Sequence, residues 1–240
     1  MPNHQTANTK NCAILIAAYK AEKWIMNCID GFKKQIPLEG WNYNIVIGID
    51  GCKNTAKVLD DNKISYYWSK ENVGLFIMLN SLWKKTEADV YMHFDADDVP
   101  LPNLLKTSIP IVWEFGFVRA KEIRCDENLN PLKKQPTKDG KTLITKKAMQ
   151  DLGGWQHFRT ACDTDIRNRA KKLGYNVKLA QSFLTEPLLY RRRHNQSLTK
   201  SPKTNMKSDY RIWAREEMKK FRESGKLKVN PIITELEWRN

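Results

Sequence analysis

The chain has 240 residues, 41 % of them hydrophobic and 28 % charged, which is enough apolar material for a packed core and excludes wholesale disorder. It contains no run of about 18 apolar residues, so no segment reads as a spanning helix, and its first residues, MPNHQT, lack the basic-then-apolar layout of a secretion signal. The net charge of +14 points to a polyanionic partner, either nucleic acid or an anionic membrane surface.

The first element expected is a strand over residues 11–18 (NCAILIAA), a nearly continuous apolar run of the kind buried on both faces. Residues 19–34 follow as a helix, with Trp24, Ile25, Cys28, Ile29 and Phe32 at helical spacing. A second buried strand, residues 44–49 (NIVIGI), ends at Asp50-Gly51, and residues 64–68 form a short third strand. A helix over residues 75–85 leads to a strand over 90–94 (VYMHF) that ends at Asp95. This alternation predicts an α/β domain with a mainly parallel sheet, in which ligands bind beyond the carboxyl ends of the strands. Asp50 and Asp95 both stand at such ends.

The second half is less regular. Residues 115–125 and 131–144 contain strand-like pieces around a polar turn at 126–130. A helix over 145–152 stops at Gly153-Gly154, and another over 163–173 stops at Gly174. Residues 197–208 form a polar, lysine-rich connector to a basic amphipathic helix over 210–221, with Tyr210, Trp213, Ala214 and Phe221 on one side. No internal repeat is present. The expected division is a catalytic domain over residues 1–200 and a basic helical extension over 201–240.

Five cysteines, an odd number with no C-x-x-C pair, argue against a disulfide framework or a zinc knuckle and for reduced cytosolic thiols. There is no G-x-x-x-x-G-K-[ST] loop and no G-x-G-x-x-G after the first strand, so a P-loop NTPase and a dinucleotide fold are both disfavoured. The sharpest signal is Asp95-Ala96-Asp97-Asp98 after an apolar strand. Three carboxylates in four residues repel one another unless solvated or neutralised, and they suit a hard divalent ion that bridges phosphates. The alternative is a helix start, with Asp98 as the cap of a helix running to Ser108. Asp163-Thr164-Asp165 offers a second choice, a general base at a cavity edge or a helix cap. The run Tyr190-Arg191-Arg192-Arg193-His194 holds one of only four histidines, a residue type more often structural or on the surface than ligating.

The order of these pieces resembles glycosyltransferase family 2, nucleotide-diphospho-sugar transferases of the A-type fold. Ala17-Ala18-Tyr19 stands at the family's Pro-x-Tyr turn and Ile49-Asp50-Gly51-Cys52 at its Asp-Asp-Gly-Ser. Asn72-Val73-Gly74 with Asn80 matches the segment before the metal motif, and Asp-Ala-Asp-Asp is unchanged at 95–98. Gly153-Gly154-Trp155, Asp163-Thr164-Asp165, Arg169 and Gly174-Tyr175 follow the acceptor-side pattern, and Tyr190-Arg191, His194 and Ser197 the late one. The resemblance spans roughly residues 10–200. Departures are Ala17 for Pro, Ile49 and Cys52 around Asp50-Gly51, and Cys162 for the Glu before Asp163.

The resemblance implies a Rossmann-like, mainly parallel central sheet flanked by helices and a metal-dependent transfer with inversion. It implies a donor site of Ala17, Tyr19, Asp50, Asn72, Gly74, Asp95, Ala96 and Arg191, with Asp50 at a uracil-like base and Asp95 at the ribose. Asp97 and His194 would bind Mn2+ or Mg2+ across the phosphates of a nucleotide-diphosphate sugar, a UDP-sugar being expected. Asp163 would be the general base, with Gly154, Trp155, Asp165 and Arg193 toward the acceptor. The expected location is the cytoplasm, that of the host for a phage enzyme.

For the acceptor, residues 190–230 hold thirteen Lys or Arg against four Asp or Glu, interleaved with Tyr210, Trp213 and Phe221. Arg211, Arg215, Lys219 and Arg222 are expected on one exposed face of the last helix, and a second basic stretch spans residues 133–147. Basic plus aromatic suits DNA, with a hydroxymethylated base of phage DNA as the acceptor expected first. It also suits peripheral contact with an anionic membrane, by an enzyme building capsule or lipopolysaccharide glycan on a lipid-linked acceptor. Two further classes are a non-catalytic binding protein on a transferase scaffold and a nucleotidyltransferase.

Overall fold

The structure, a computed structural model, describes residues 9–132 and 138–240. Its centre is four parallel strands: β1 (Lys10–Ala18), β2 (Trp41–Asp50), β3 (Tyr66–Ser69) and β4 (Val90–Asp95). They are linked by α1 (Ile25–Lys33), α2 (Lys53–Asp61) and α3 (Leu75–Lys85). The second half adds β5 (Val99–Pro100), α4 (Leu104–Phe115), β6 (Phe117–Cys125), β7 (Lys138–Thr145), α5 (Lys146–Leu152), α6 (Cys162–Lys172) and α7 (Val177–Ser182). The chain closes with β8 (Leu189–Arg192), α8 (Asp209–Glu223) and β9 (Glu237–Arg239). All the strands form one sheet in the order β5-β8-β6-β7-β4-β1-β2-β3-β9. β7 joins β4 antiparallel and β9 joins β3 antiparallel.

Successive side chains of a strand point to opposite faces, and β1 feeds two cores by that alternation. Cys12, Ile14, Ile16 and Ala18 pack on the side of α1, α2 and α4, whereas Ala13 and Leu15 pack on the side of α3, α5, α6 and α8. Both sets are buried, which is why the sequence here is continuously apolar rather than alternating.

Several elements differ from the sequence reading. The first helix starts at Ile25 rather than at residue 19, because Lys20 takes a positive φ of 53° and the Ala21 carbonyl accepts from both Trp24 and Ile25 N–H. α2 was not expected; only Thr55, Ala56 and Leu59 of it are buried, too thin a stripe to register as periodicity. α4 is capped at Asn103, not by Asp98, and runs on to Phe115. Of the strand-like stretch at 131–144, residues 133–137 lie outside the described residues, and β7 begins at Lys138.

Residues beyond 200 pack against the rest of the sheet and its helices. α8, capped by Ser208, buries Arg211, Ala214 and Met218 against the face that holds α6. Val229 N–H donates to Leu152 O (2.9 Å), Thr234 N–H to Ser81 Oγ (2.8 Å), and β9 extends the sheet. The apolar side expected for this helix is therefore corrected: Ala214 and Met218 face inward, whereas Trp213 is 48 % exposed. The expected cationic face is corrected too, since Arg211 is buried with Nε donating to Thr204 O (2.9 Å) and Arg222 reaches the buried Asp165.

Candidate active site

Because β1, β2 and β4 run parallel, their carboxyl ends open on one edge of the sheet. Ala17 pairs with Gly48 on one side and Asp95 on the other, and Tyr19 stands exposed just beyond. At the end of β2, Asp50 accepts from Val73 N–H (2.7 Å), Gly74 N–H (2.9 Å) and Asn72 Nδ2 (3.0 Å). Burial pushes its pKa up, against those two backbone donors and the charge of Arg159. Asp50, Asn72 and Gly74, expected together, thus form one closed unit. Gly51 makes it possible: its φ is +69°, and a Cβ there would lie 2.7 Å from the backbone of Glu71 and Asn72. Arg159 seals the turn from the opposite loop, with Nη1 donating to Asn72 Oδ1 at 2.7 Å.

β4 ends in the acidic turn. Asp95, Asp97 and Asp98 each place a carboxylate oxygen within 4.8 Å of the others. His194, at the end of the β8 segment, sets Nε2 2.8 Å from Asp97 Oδ2, so residues 97 positions apart meet. Trp24 packs on the His194 ring, with centroids 5.7 Å apart, and the Arg192 guanidinium stacks on Trp24. Arg192 also donates from its backbone to Asp98 Oδ1 (2.8 Å) and from Nη1 to Asp97 O (2.8 Å), pinning the turn from below. Ala96 is buried in the core, so only its backbone faces the site.

The turn carries its own cation. Lys141 of β7 contacts Asp95 Oδ2 and lies 2.6 Å from Asp98 Oδ2, while His93 Nε2 meets Asp95 Oδ1 at 2.9 Å. Burial alone would raise the Asp95 pKa, but Lys141 and His93 outweigh it and hold the carboxyl well below the usual range. Asp98 is pushed up to about 7, chiefly by burial and then by Asp97 and Asp95, against the pull of Lys141.

On the other side of the site, Ala161, in the left-handed region, occupies the cap of α6 without a side-chain bond. Asp163 in the first turn is not the cap; its carboxylate is 38 % exposed and faces Arg119 Nη2 at 3.6 Å. Asp165 is a correction. Its side chain is 1 % exposed and paired with Arg169 Nε (2.7 Å) and with Arg222, so it does not face an acceptor. Arg169 in turn donates to Leu152 O (2.7 Å), Gly154 O (2.8 Å) and Leu227 O (3.2 Å). Trp155 is likewise buried, its backbone clamped in both directions by Asn80 and its ring edge-on to His93. Gly154, at φ +92°, leaves room for Asn80 Oδ1, which a Cβ would approach to 2.6 Å. These residues shape the wall instead of presenting side chains to an acceptor. Arg191 is also redirected: its Nη1 pairs with buried Glu122 (3.0 Å), leaving Arg193 as the exposed arginine of the run.

Sequence reasoning missed His93, Lys141, Arg119 and Arg159. His93 had a signal, since residue i−2 on a strand shares the face of Asp95. Lys141 had none. It reaches the turn because β7 runs antiparallel beside β4 with Leu143 opposite Met92, which carries Lys141 toward the end of β4.

Residues 13–118 match the family model for glycosyl transferase family 2. No curated protein matches the chain in sequence. Among solved structures, the fold is similar to S. aureus TarS 1-349 in complex with UDP-GlcNAc, at 13 % identity and TM-score 0.62, covering 78 % of this chain and 60 % of that one. It is also similar to the mannosyltransferase PcManGT from Pyrobaculum calidifontis in complex with GDP-Man and Mn2+, at 13 % identity and TM-score 0.59, covering 84 % and 59 % respectively. The chain thus spans about three fifths of the length of the structures it resembles. The parallel sheet, the acidic turn and these likenesses together give the chain the A-type fold, and residues 13–118 are similar to glycosyl transferase family 2.

Proposed function

We propose that the chain transfers a glycosyl group from a nucleotide-diphosphate sugar to an acceptor hydroxyl, with inversion. The observation that carries this reading is the meeting of Asp97 and His194 at 2.8 Å beside two further carboxylates at the end of β4. Clustered oxygen ligands with an imidazole suit a divalent ion such as Mn2+ or Mg2+. When bound, such an ion supplies Lewis-acid stabilisation of the departing diphosphate. Asp97 and His194 are the residues that would hold it. The closed unit of Asp50, Asn72 and Gly74 forms the wall toward a base such as uracil, and Ala17, Tyr19 and the Ala96 backbone border the donor. Asp163, partly exposed and not spent on capping, would take the proton of the attacking hydroxyl. A single displacement on the face opposite the leaving diphosphate inverts the anomeric centre. The solved structures with UDP-GlcNAc and with GDP-Man and Mn2+ support a nucleotide-sugar donor and a metal, and a UDP-sugar is the donor proposed here. A panel of UDP- and GDP-sugars, assayed for donor hydrolysis with Mn2+ and with EDTA, tests this. Hydrolysis of no donor, or hydrolysis that EDTA leaves intact, would overturn the metal-dependent reading.

The acceptor reading shifts with the structure. Within the basic stretch at 133–147, Lys141 is turned inside, Lys146 pairs with Glu87 and Lys147 with Asp151 (2.6 Å). Residues 133–137 lie outside the described residues. The stretch leading into α8 and the start of α8 instead expose four large apolar side chains, Leu198, Met206, Ile212 and Trp213, among exposed Lys200, Lys203 and Lys207. Apolar side chains between lysines suit an anionic lipid interface better than a phosphate track, which favours a lipid-linked acceptor over a hydroxymethylated DNA base. Retention on anionic vesicles with no steep salt-dependent binding to hydroxymethylated duplex DNA is expected; the reverse restores the DNA reading.

A further inference from the structure

We propose that Lys141 is a built-in counter-cation of the acidic turn, which occupies Asp95 and Asp98 and leaves Asp97, with His194, as the group open to a divalent ion. The inference rests on the reading of residues 95–98 as a cation-binding turn and adds which carboxylates an added ion can use.

The geometry is specific. The Lys141 side chain is 5 % exposed, and its ammonium meets Asp95 Oδ2 and Asp98 Oδ2 together. Its stem runs past Phe94, whose ring centroid lies 5.8 Å from Nζ. Among the described residues, the neighbouring buried carboxylate, Glu122, is already held by Arg191 at 3.0 Å and Arg124 at 3.5 Å. Moving Lys141 away from the turn would bring it against those arginines. Gly140, directly before Lys141, leaves the space that Glu122 Oε2 fills, since a Cβ there would stand 2.5 Å from it. The alternation of Arg191, Glu122, Lys141 and the Asp95–Asp98 pair therefore holds the ammonium in place. His93 occupies the other oxygen of Asp95 at 2.9 Å, and the Arg192 N–H the other oxygen of Asp98 at 2.8 Å. Each oxygen of both residues thus faces an internal partner, with Lys141 meeting Asp98 Oδ2 as an ion pair without a hydrogen bond. Asp97 differs in its partner and not in its exposure, which is 26 % against 30 % for Asp95: one of its oxygens meets the His194 imidazole instead of an ammonium.

A fixed ammonium beside a cation site opposes a second cation through repulsion that is strong at these separations and screened little by salt when buried. Replacing Lys141 by an apolar residue of similar length removes the repulsion and frees two carboxylates. Lys141 is thereby a specificity-determining residue that sets how tightly a divalent ion binds before donor arrives.

The test measures Mn2+ alone, by the loss of the free-ion resonance in electron paramagnetic resonance, on the full chain without nucleotide. Lys141→Met should bind Mn2+ roughly tenfold or more tightly than the unmodified chain, as expected for removing a neighbouring like charge. Lys141→Arg, which keeps the charge, should stay near the unmodified affinity. Equal affinity in Lys141→Met and the unmodified chain overturns the proposal while leaving the metal reading intact. Absence of Mn2+ binding in both, with and without added UDP, overturns both. A second pair of variants holds even if Lys141→Met does not fold: Asp97→Ala should abolish Mn2+ binding in the otherwise unmodified chain, whereas Asp95→Ala should leave most of it. If Asp95→Ala loses as much as Asp97→Ala, the ion already uses Asp95 and the proposal falls.

Discussion

The two acidic turns of the chain, at residues 95–98 and 163–165, have nearly the same composition and divide their carboxylates in different ways. At the end of β4 the three aspartates stay close, partly open to solvent at Asp95 and Asp97, and compensated by Lys141, His93 and His194. At the start of α6 the pair is split. Asp163 is partly exposed beside Arg119, while Asp165 is buried between Arg169 and Arg222. A strand end directs its turn along the open edge of a parallel sheet, so neighbouring carboxylates converge on one space. A helix start places residues two apart on different sides of the cylinder, so one side chain faces out and the other faces the packing. An acidic motif therefore acts as a cluster on a strand end and as a divided pair on a helix.

The largest expected effect tests the first turn. Asp97→Asn should cut transfer by about 10³-fold or more, the loss corresponding to several kcal/mol of charge stabilisation. Wild-type turnover of this variant with saturating Mn2+ would break the assignment of Asp97.

Next is the buried half of the second turn. Arg169→Met strips donors from three carbonyls and leaves the buried Asp165 with Arg222 as its one remaining arginine partner, at a cost of about 3–5 kcal/mol in urea unfolding. Replacing both Asp165 and Arg169 by leucine and methionine should recover part of that loss. If the single variant unfolds at the wild-type midpoint, Asp165 is not a buried staple and the division of the pair is wrong.

The exposed half should respond in kinetics and not in stability. Asp163→Asn is expected to lower the transfer rate by about 10²-fold or more, as for loss of a general base, with donor affinity kept. Its unfolding midpoint should correspond to a change within about 0.5 kcal/mol, the range for surface positions. A loss of stability matching that of Arg169→Met would show that both carboxylates of this turn are structural.

The smallest effect per residue lies away from both turns. Changing Lys200, Lys203 and Lys207 to Gln should weaken partition onto anionic vesicles by about 1 kcal/mol per residue, and donor hydrolysis should be unchanged. Unchanged partition after these replacements, together with Ile212→Ser and Trp213→Ser, would remove the case for a lipid interface.

The sequence by itself determined most of the parallel half of the fold, because strands buried on both faces must be apolar throughout and α1 and α3, unlike α2, show a clear apolar stripe. β1, β4 and α3 were legible for that reason, and so were Asp50 and the acidic turn, which sit where such strands end. Motif order also joined Asp97 to His194 across the chain. Tertiary structure alone decided the partners of the charges. Lys141 and Glu122 look like ordinary surface residues on a polar strand, and only the antiparallel return of β7 beside β4 turns Lys141 inward. In the same way Arg211 and Arg222, read as solvated cations of an amphipathic helix, are taken up by Thr204 O and Asp165 once α8 packs on the core. Apolar burial follows local periodicity, which is written along the chain. The partner of a buried charge is set by which distant segment arrives beside it, and that is fixed only when the sheet closes.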